Sequence, residues 1–300
     1  MTSKMFQISI IFIYNIPIIL IGLWSLDFKF YRTGKEVIER FSVPVKLKDW
    51  HIEWKDYQPV PVFIDFGHKP WADPDIKDVN FHPKWNQLDD KIDRQSHLGK
   101  YSIDKDGFPL NPTGRTGVMM RGLLGRWGPN HAADPIVTRW KRDDTNKIIK
   151  HNLSDKPIMQ FVAIQRKDVL EWAIPGGMVD PGETVPETLK REFFEESLNS
   201  LELSSSERDK MNDRLKNFFT HGQTIFKGYV NDPRNTDNAW IETVAVNFHD
   251  DQGNILNTLS LKAGDDARNV RWMDIDRNAK LYANHLDFIE TTVKNRSGHW

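Results

Sequence analysis

The chain has 300 residues, 39% hydrophobic and 28% charged, with 41 basic side chains against 42 acidic ones and no cysteine. That composition supports a globular fold with a sizeable core and excludes disordered and fibrous classes. A net charge of −1 gives no global attraction to nucleic acid, and without cysteine there are no disulfides, thiolate zinc sites or cysteine nucleophiles.

In chain order, the first feature is Met5 to Leu26, which carries no charged side chain and matches the roughly 20 residues of a membrane-crossing helix. Asn15 and Pro17 interrupt it, no small-x-small cleavage site follows, and no arginine precedes Arg32, unlike an amphipathic transit peptide. The expectation is an anchor or signal, with membrane contact through residues 5–26. Residues 28 to 112 are rich in proline and tryptophan. Within them "WHIEWKDYQPVPVFIDF" predicts a short strand or two, and "KPWADPDIKDVNFHPKW" a structured loop. We therefore expect an apolar segment at 1–27, a smaller irregular N-terminal domain at 28–117, and a main domain at 118–300.

Glycines at 114, 117, 122, 125 and 128 come next. Over residues 114–142, Arg115, Arg121, Arg126, Arg139, Lys141 and Arg142 face Asp134 alone. The stretch reads as a Gly-rich basic loop whose backbone N–H groups and guanidinium forks approach a phosphate, or as a structural loop whose arginines pair with the N-terminal region.

Regular elements follow. "IMQFVAIQR" (158–166) predicts a strand, "EWAIPGG" a turn, and "TVPETLKREFFEESL" a helix with Thr184 and Glu187 as a capping box and Pro186 in the first turn. "SERDKMNDRLKNFF" predicts an amphipathic helix, "QTIFKGYV", "WIETVAVNFHD" and "VRWMDID" three strands, and "LYANHLDFIETTVKN" a closing helix. Strands and helices mixed in this way predict an α/β sandwich with a mixed sheet.

The first helix carries the chemistry. Residues 176–197 hold six acidic side chains and two basic ones. Glu192, Glu195 and Glu196 stand three and four residues apart, on one helical face, while Leu189 and Phe193 lie beside them to dock the helix. Three converging carboxylates repel unless a cation sits among them, and hard oxygen ligands select Mg²⁺ or Mn²⁺. Glu183, just before the helix, can reach back to Arg191 and brace the turn. Glutamate spaced like this behind a Gly-Gly turn resembles the Nudix hydrolases, whose pattern falls on Gly177, Glu183, Arg191, Glu192, Phe193, Glu195 and Glu196. Leu198 and Asn199 depart from it, standing where a glycine and an apolar residue are usual. Every charged position matches.

The flanking stretches "GRTGVMMRGLLGRWGPNHAADPIVTRWKRD", "WAIPGGMVDPGE", "KGYVNDPRNTDNAWIETVAVNFHD" and "LYANH" resemble the ADP-ribose pyrophosphatase branch of that family. They are also similar to the Nudix-type domain of ADP-ribose-gated melastatin channels. The resemblance spans residue 45 to the C terminus. It implies a Nudix-type α/β/α sandwich and Mg²⁺-dependent hydrolysis of ADP-ribose to AMP and ribose 5-phosphate by a monomer that is mitochondrial, a placement from which the apolar N terminus pulls apart. It also implies catalytic roles for Glu183, Arg191, Glu192, Glu195 and Glu196. Substrate contacts are implied at Arg121, Arg126, Ile174, Gly176, Gly177, Asp232, Arg234, Tyr282, Asn284 and His285. The proton acceptor is left open between a glutamate and a metal-bound hydroxide. Two rivals stand beside the enzyme: a sensor that binds ADP-ribose without cleaving it, and a hydrolase of another nucleoside diphosphate derivative.

Overall fold

A computed structural model describes residues 28–300 apart from His68, Asp168, Val169, Leu201, Glu202, Thr258, Asp265 and Asp266. The apolar stretch at 5–26 lies outside the described residues, among which no helix is long and apolar enough to cross a membrane.

The N-terminal region is built of short pieces. Strands β1 (Phe30–Arg32) and β2 (Val37–Glu39) form one hairpin. β3 (Val60–Pro61) is followed by a second hairpin, β4 (Leu88–Asp89) with β5 (Ile92–Asp93), and β3 pairs in parallel with β6 (Val118–Met119). Strands of two or three residues bury little apolar surface, so polar and aromatic contacts carry the packing instead. The buried Arg94 guanidinium bonds both oxygens of Asp73 (2.8 and 2.9 Å) and reaches Asp89 at 2.8 Å. Asp73 also accepts the backbone N–H of Trp127 at 2.9 Å, so the ion pair holds the N-terminal region to the strand that follows.

That strand, β7 (Gly128–Trp140), is the spine of a seven-stranded mixed sheet. The rest are β8 (Met159–Arg166), β9 (Trp172–Ala173), β10 (Gly177–Met178), β11 (Gln223–Tyr229), β12 (Ala239–Asp250) and β13 (Ala267–Asp274). The order is β11-β12-β7-β8-β13, with β10 on β7 and β9 on β8. β12 runs parallel to β7 along its length, and the other pairings are antiparallel. The expected loop at 114–142 is therefore corrected: its second half is the central strand. Nearly every residue of β7 is buried, so both faces are covered and no polar–apolar alternation marks it. Pro129 and Pro135 disguise it further. Pro135 falls between the β10 pairing at Ala132 and Ala133 and the β8 pairing that begins at Thr138, a stretch with no partner on that side.

Helices α1 (Val185–Leu198), α2 (Ser205–Lys216) and α3 (His285–Asn295) cover the sheet. Alternation along the strands divides its side chains between two cores. Leu189, Phe193 and Leu198 of α1 pack with Ala133, Val137, Val162, Val244 and Val246. Phe288, Ile289 and Val293 of α3 pack with Ile136, Phe161, Ala163 and Ala245 on the other face. The result is the expected α/β/α sandwich with an N-terminal region before it.

Two helix ends differ from expectation. α2 stops at Lys216, and a 3-10 turn from Phe218 to Thr220 buries Phe218. α3 begins at His285, because Leu281 forms a parallel bridge with Trp172 and Ala283 takes φ of 48°. α1 keeps Leu198 as a buried final residue, and Asn199 takes the left-handed conformation at φ 49°. Asparagine tolerates that region, so the helix closes without glycine.

Candidate active site

The turn before α1 sets the site. Glu187 accepts the Thr184 backbone N–H at 2.8 Å, completing the capping box. Glu183 accepts a forked pair from Arg191, at 2.8 Å from Nε and 2.9 Å from Nη2, and the Thr188 hydroxyl donates to it at 2.7 Å. Burial alone would raise the Glu183 carboxyl, but these bonds hold it below its ordinary value. Arg191 also donates to Glu192 at 2.7 Å, to Glu195 at 3.2 Å and to the Met178 carbonyl at 3.0 Å. One guanidinium thus fixes two of the three helix glutamates and ties the helix to β10. Its hydrogen bonds to Glu183 hold it more firmly protonated than a free arginine.

Glu196 is held from the other side, accepting the Gly176 N–H at 2.9 Å. The two glycines answer to crowding. A Cβ on Gly176 would lie 2.1 Å from Asp134 Oδ1, and one on Gly177 would lie 2.3 Å from Glu192 Oε1. Any side chain here would displace a carboxylate. Burial pushes the Glu192 carboxyl up to about 7 against the pull of Arg191, with Glu195 and Glu183 adding repulsion. Glu192 and Glu195 share one arginine already committed to Glu183, and Glu196 stands beside them on the same helix face. That excess of negative charge on hard oxygens fits a divalent cation of the Mg²⁺ or Mn²⁺ kind, with Glu192, Glu195 and Glu196 as its ligands.

These groups open into a cavity of about 470 Å³. Its lining brings together Ile174, Gly176, Gly177, Arg191, Glu192, Glu195, Glu196, Asp232, Arg234, Tyr282 and His285. Arg234 forks onto Asp232 at 2.8 Å through Nε and again through Nη2, and its backbone N–H adds a third bond. Burial would raise Asp232, but the Arg234 bonds hold it below its ordinary value. The Tyr282 hydroxyl stands 3.4 Å from the same carboxylate. Nδ1 of His285 accepts the Ile174 N–H at 3.0 Å, which assigns the ring proton to Nε2. Burial pushes this histidine down to about 4, so it is neutral.

Arg121, Arg126 and Asn284 are not among the lining residues. Arg121 donates to the carbonyls of Asp73 and Gly125 and lies over the rings of Phe66 and Trp127. Arg126 donates from Nε to the Trp71 carbonyl at 3.3 Å. Asn284 precedes α3, with its side-chain oxygen buried and without a hydrogen-bond partner. The other cations of 114–142 disperse as well. Arg115 bonds the carbonyls of Leu47, Asp49 and Ile52, Arg139 lies over Trp272, Lys141 pairs with Asp274, and Arg142 caps two loop carbonyls. Most of these arginines serve the N-terminal packing or the far end of the sheet.

Among the polar lining residues, sequence reasoning missed Asp134, Thr243, Arg166 and Lys167. Asp134 is buried, pushed up to about 6 by desolvation, and accepts the Thr243 hydroxyl at 2.6 Å. The Arg166 guanidinium lies over the Tyr282 ring at 4.5 Å. Two signals were available. A lone acid stood inside a basic stretch, and two cations stood at the end of a largely apolar run.

The N-terminal region reaches the site through the loop that carries Asp232 and Arg234. Arg40 donates to the carbonyls of Pro233 (2.6 Å) and Asn235 (3.1 Å), and the Tyr31 hydroxyl to that of Arg234 at 3.2 Å. The Tyr57 hydroxyl donates to Asp237 at 2.6 Å.

The comparisons with known proteins agree with this geometry. The family model for the NUDIX domain matches residues 153–292, and that for the NUDT9-like, N-terminal domain matches residues 43–128. The chain is 54% identical over 267 residues to the mitochondrial ADP-ribose pyrophosphatase of Rattus norvegicus, covering 88% of this chain and 76% of the relative. It is 47% identical to the putative nudix hydrolase 6 of Caenorhabditis elegans, covering 87% of this chain and 92% of that one. It is 48% identical to the transient receptor potential cation channel subfamily M member-like 2 of Nematostella vectensis, covering 86% of this chain but 17% of that protein.

Proposed function

The chain belongs to the Nudix hydrolase family, and on that footing we propose that it hydrolyses ADP-ribose to AMP and ribose 5-phosphate with a divalent cation, Mg²⁺ or Mn²⁺. The observation that carries the reading is one cavity holding both the helix carboxylates Glu192, Glu195 and Glu196 and the Asp232–Arg234 pair. A diphosphate needs its charge screened before water can attack phosphorus, and the bound cation supplies that screening and a more acidic water. The chain's own residues do the positioning. Arg191 and Glu183 hold Glu192 and Glu195 in place, and the Gly176 N–H holds Glu196. Arg166, Lys167 and Arg234 offer cations to the substrate's phosphates, Asp232 accepts from ribose hydroxyls, and Ile174, Gly177, Tyr282 and His285 shape the remaining wall. Complete glutamates on α1 favour an enzyme over a sensor. We read the enzyme as a monomer.

We read the seam between the N-terminal region and the hydrolase domain near residue 117, with the N-terminal region acting as a brace for the substrate loop. Mitochondrial placement is supported by the name of the rat relative, and membrane contact through residues 5–26 by their composition alone.

The test is a split between two variants. Glu196→Gln removes metal charge while keeping volume, and should lower kcat by orders of magnitude with the fold intact. Arg234→Ala should mainly raise KM for ADP-ribose and leave metal affinity unchanged. Near wild-type turnover in the first, or an unchanged KM in the second, would remove the corresponding residue from its role.

A further inference from the structure

Behind the sheet lies a second group of metal-ligating side chains that the hydrolytic site does not use. Parallel pairing sets Glu242 of β12 directly beside His131 of β7. Strand alternation turns both to the face opposite Asp134 and Thr243, away from the cavity. The N-terminal region covers them with His97, whose ring centroid stands 4.7 Å from that of His131. One ligand atom from each of the three lies within 4.8 Å of the others.

The hydrogen-bond accounting is incomplete here. His97 Nε2 and both ring nitrogens of His131 are buried and have no hydrogen-bond partner. The nearby Gln95 carbonyl favours a charged His131 ring but makes no hydrogen bond to it of acceptable geometry. Buried polar atoms are nearly always paired, so three orphans in one cluster ask for a partner. Glu242 is firmly set. The Ser96 hydroxyl and the Trp240 indole donate to Oε1 at 2.6 and 2.7 Å, and the His97 backbone N–H donates to Oε2, an oxygen with a further lone pair.

We propose that His97, His131 and Glu242 bind a borderline divalent cation of the Zn²⁺ class, which clips the N-terminal region to the catalytic sheet. Two imidazoles and a carboxylate suit zinc, whereas Mg²⁺ prefers oxygen throughout. Tetrahedral ligands around zinc stand roughly 3.3–3.5 Å apart, so atoms already within 4.8 Å come into range by small side-chain rotations. The ion would add a ligand bond across the same seam that Arg94 and Arg40 bridge, on strands whose other faces line the cavity.

The test uses the whole chain, stripped of metal with EDTA and then given Zn²⁺ or Co²⁺ alone. The double variant Glu195→Gln/Glu196→Gln silences the hydrolytic site, so binding that persists there belongs to the second cluster. Expected are one equivalent of zinc per chain, an intense tetrahedral Co²⁺ absorption in the visible, and a rise in Tm with Zn²⁺ that Mg²⁺ does not reproduce. His97→Gln, which sits on a covering loop and keeps most of the volume, should weaken zinc binding at least tenfold and abolish the Co²⁺ band. His131→Asn is the second variant, with circular dichroism to confirm folding. No zinc retained in the double variant, a weak octahedral Co²⁺ spectrum, or wild-type zinc binding in folded His97→Gln would each overturn the site.

Discussion

Asp134 is the residue whose behaviour is most open to a physical test. It lies in the central strand with its carboxyl against Gly176, where it accepts a hydrogen bond from the Thr243 hydroxyl. Desolvation raises it to about 6 from an ordinary 3.8. A raised carboxyl contributes stability that is fully present below the unfolded value and is lost as pH rises through the folded one. The shift corresponds to about 3 kcal/mol. Asp134→Asn should therefore gain stability over wild type as pH rises from 4 to 7, by up to that amount, as read by urea midpoints in EDTA. A gap independent of pH would mean that Asp134 is charged throughout, paired with a cation such as Arg166. The same residue shows why the sequence reading fell short. An acid within six cations reads as a minor exception, although burial is what makes it matter. Glu192, Glu195, Glu196, Glu183 and Arg191 were legible because helical spacing fixes which side chains share a face.

At the scale of elements, legibility followed periodicity. α1 was readable from its cap, its acidic face and its apolar flank, and β8, β11 and β12 from their branched and aromatic runs. The central strand was not, since it is buried on both faces and carries Pro129, Asn130, His131, Asp134 and Pro135. Nor could the sequence say that the loop from Val230 to Asn238 would be held by residues almost two hundred positions away. Arg40 spans the Pro233 and Asn235 carbonyls and also bonds that of Thr116. Removing it frees the loop that carries Asp232 and Arg234 and leaves α1 untouched. Arg40→Ala should raise KM for ADP-ribose about tenfold with a smaller change in kcat, the pattern of lost ground-state binding. A fall in kcat at constant KM would place Arg40 in the chemical step instead.

For the whole molecule, the proposed division of labour is between a hydrolase region, whose helix α1 and substrate loop line the cavity, and an N-terminal region that supports that loop. Every described lining residue of the cavity lies at or beyond Ala132, while Tyr31, Arg40 and Tyr57 support the loop from outside. Removing residues 1–27 leaves all of these in place. The truncated chain should keep the kcat and KM of the full one, while membrane fractionation of the two should differ. A folded but inactive truncation would show that the segment packs into the catalytic unit. Identical fractionation would remove the anchor reading and leave the enzyme standing.

The most direct measurement is incubation of the purified chain with ADP-ribose, with and without Mg²⁺, followed by separation of the products. The account predicts AMP and ribose 5-phosphate in equal amounts, formed only with the cation and stopped by excess EDTA. ADP-ribose left intact while it binds the protein, or cleavage at full rate in EDTA, would contradict it.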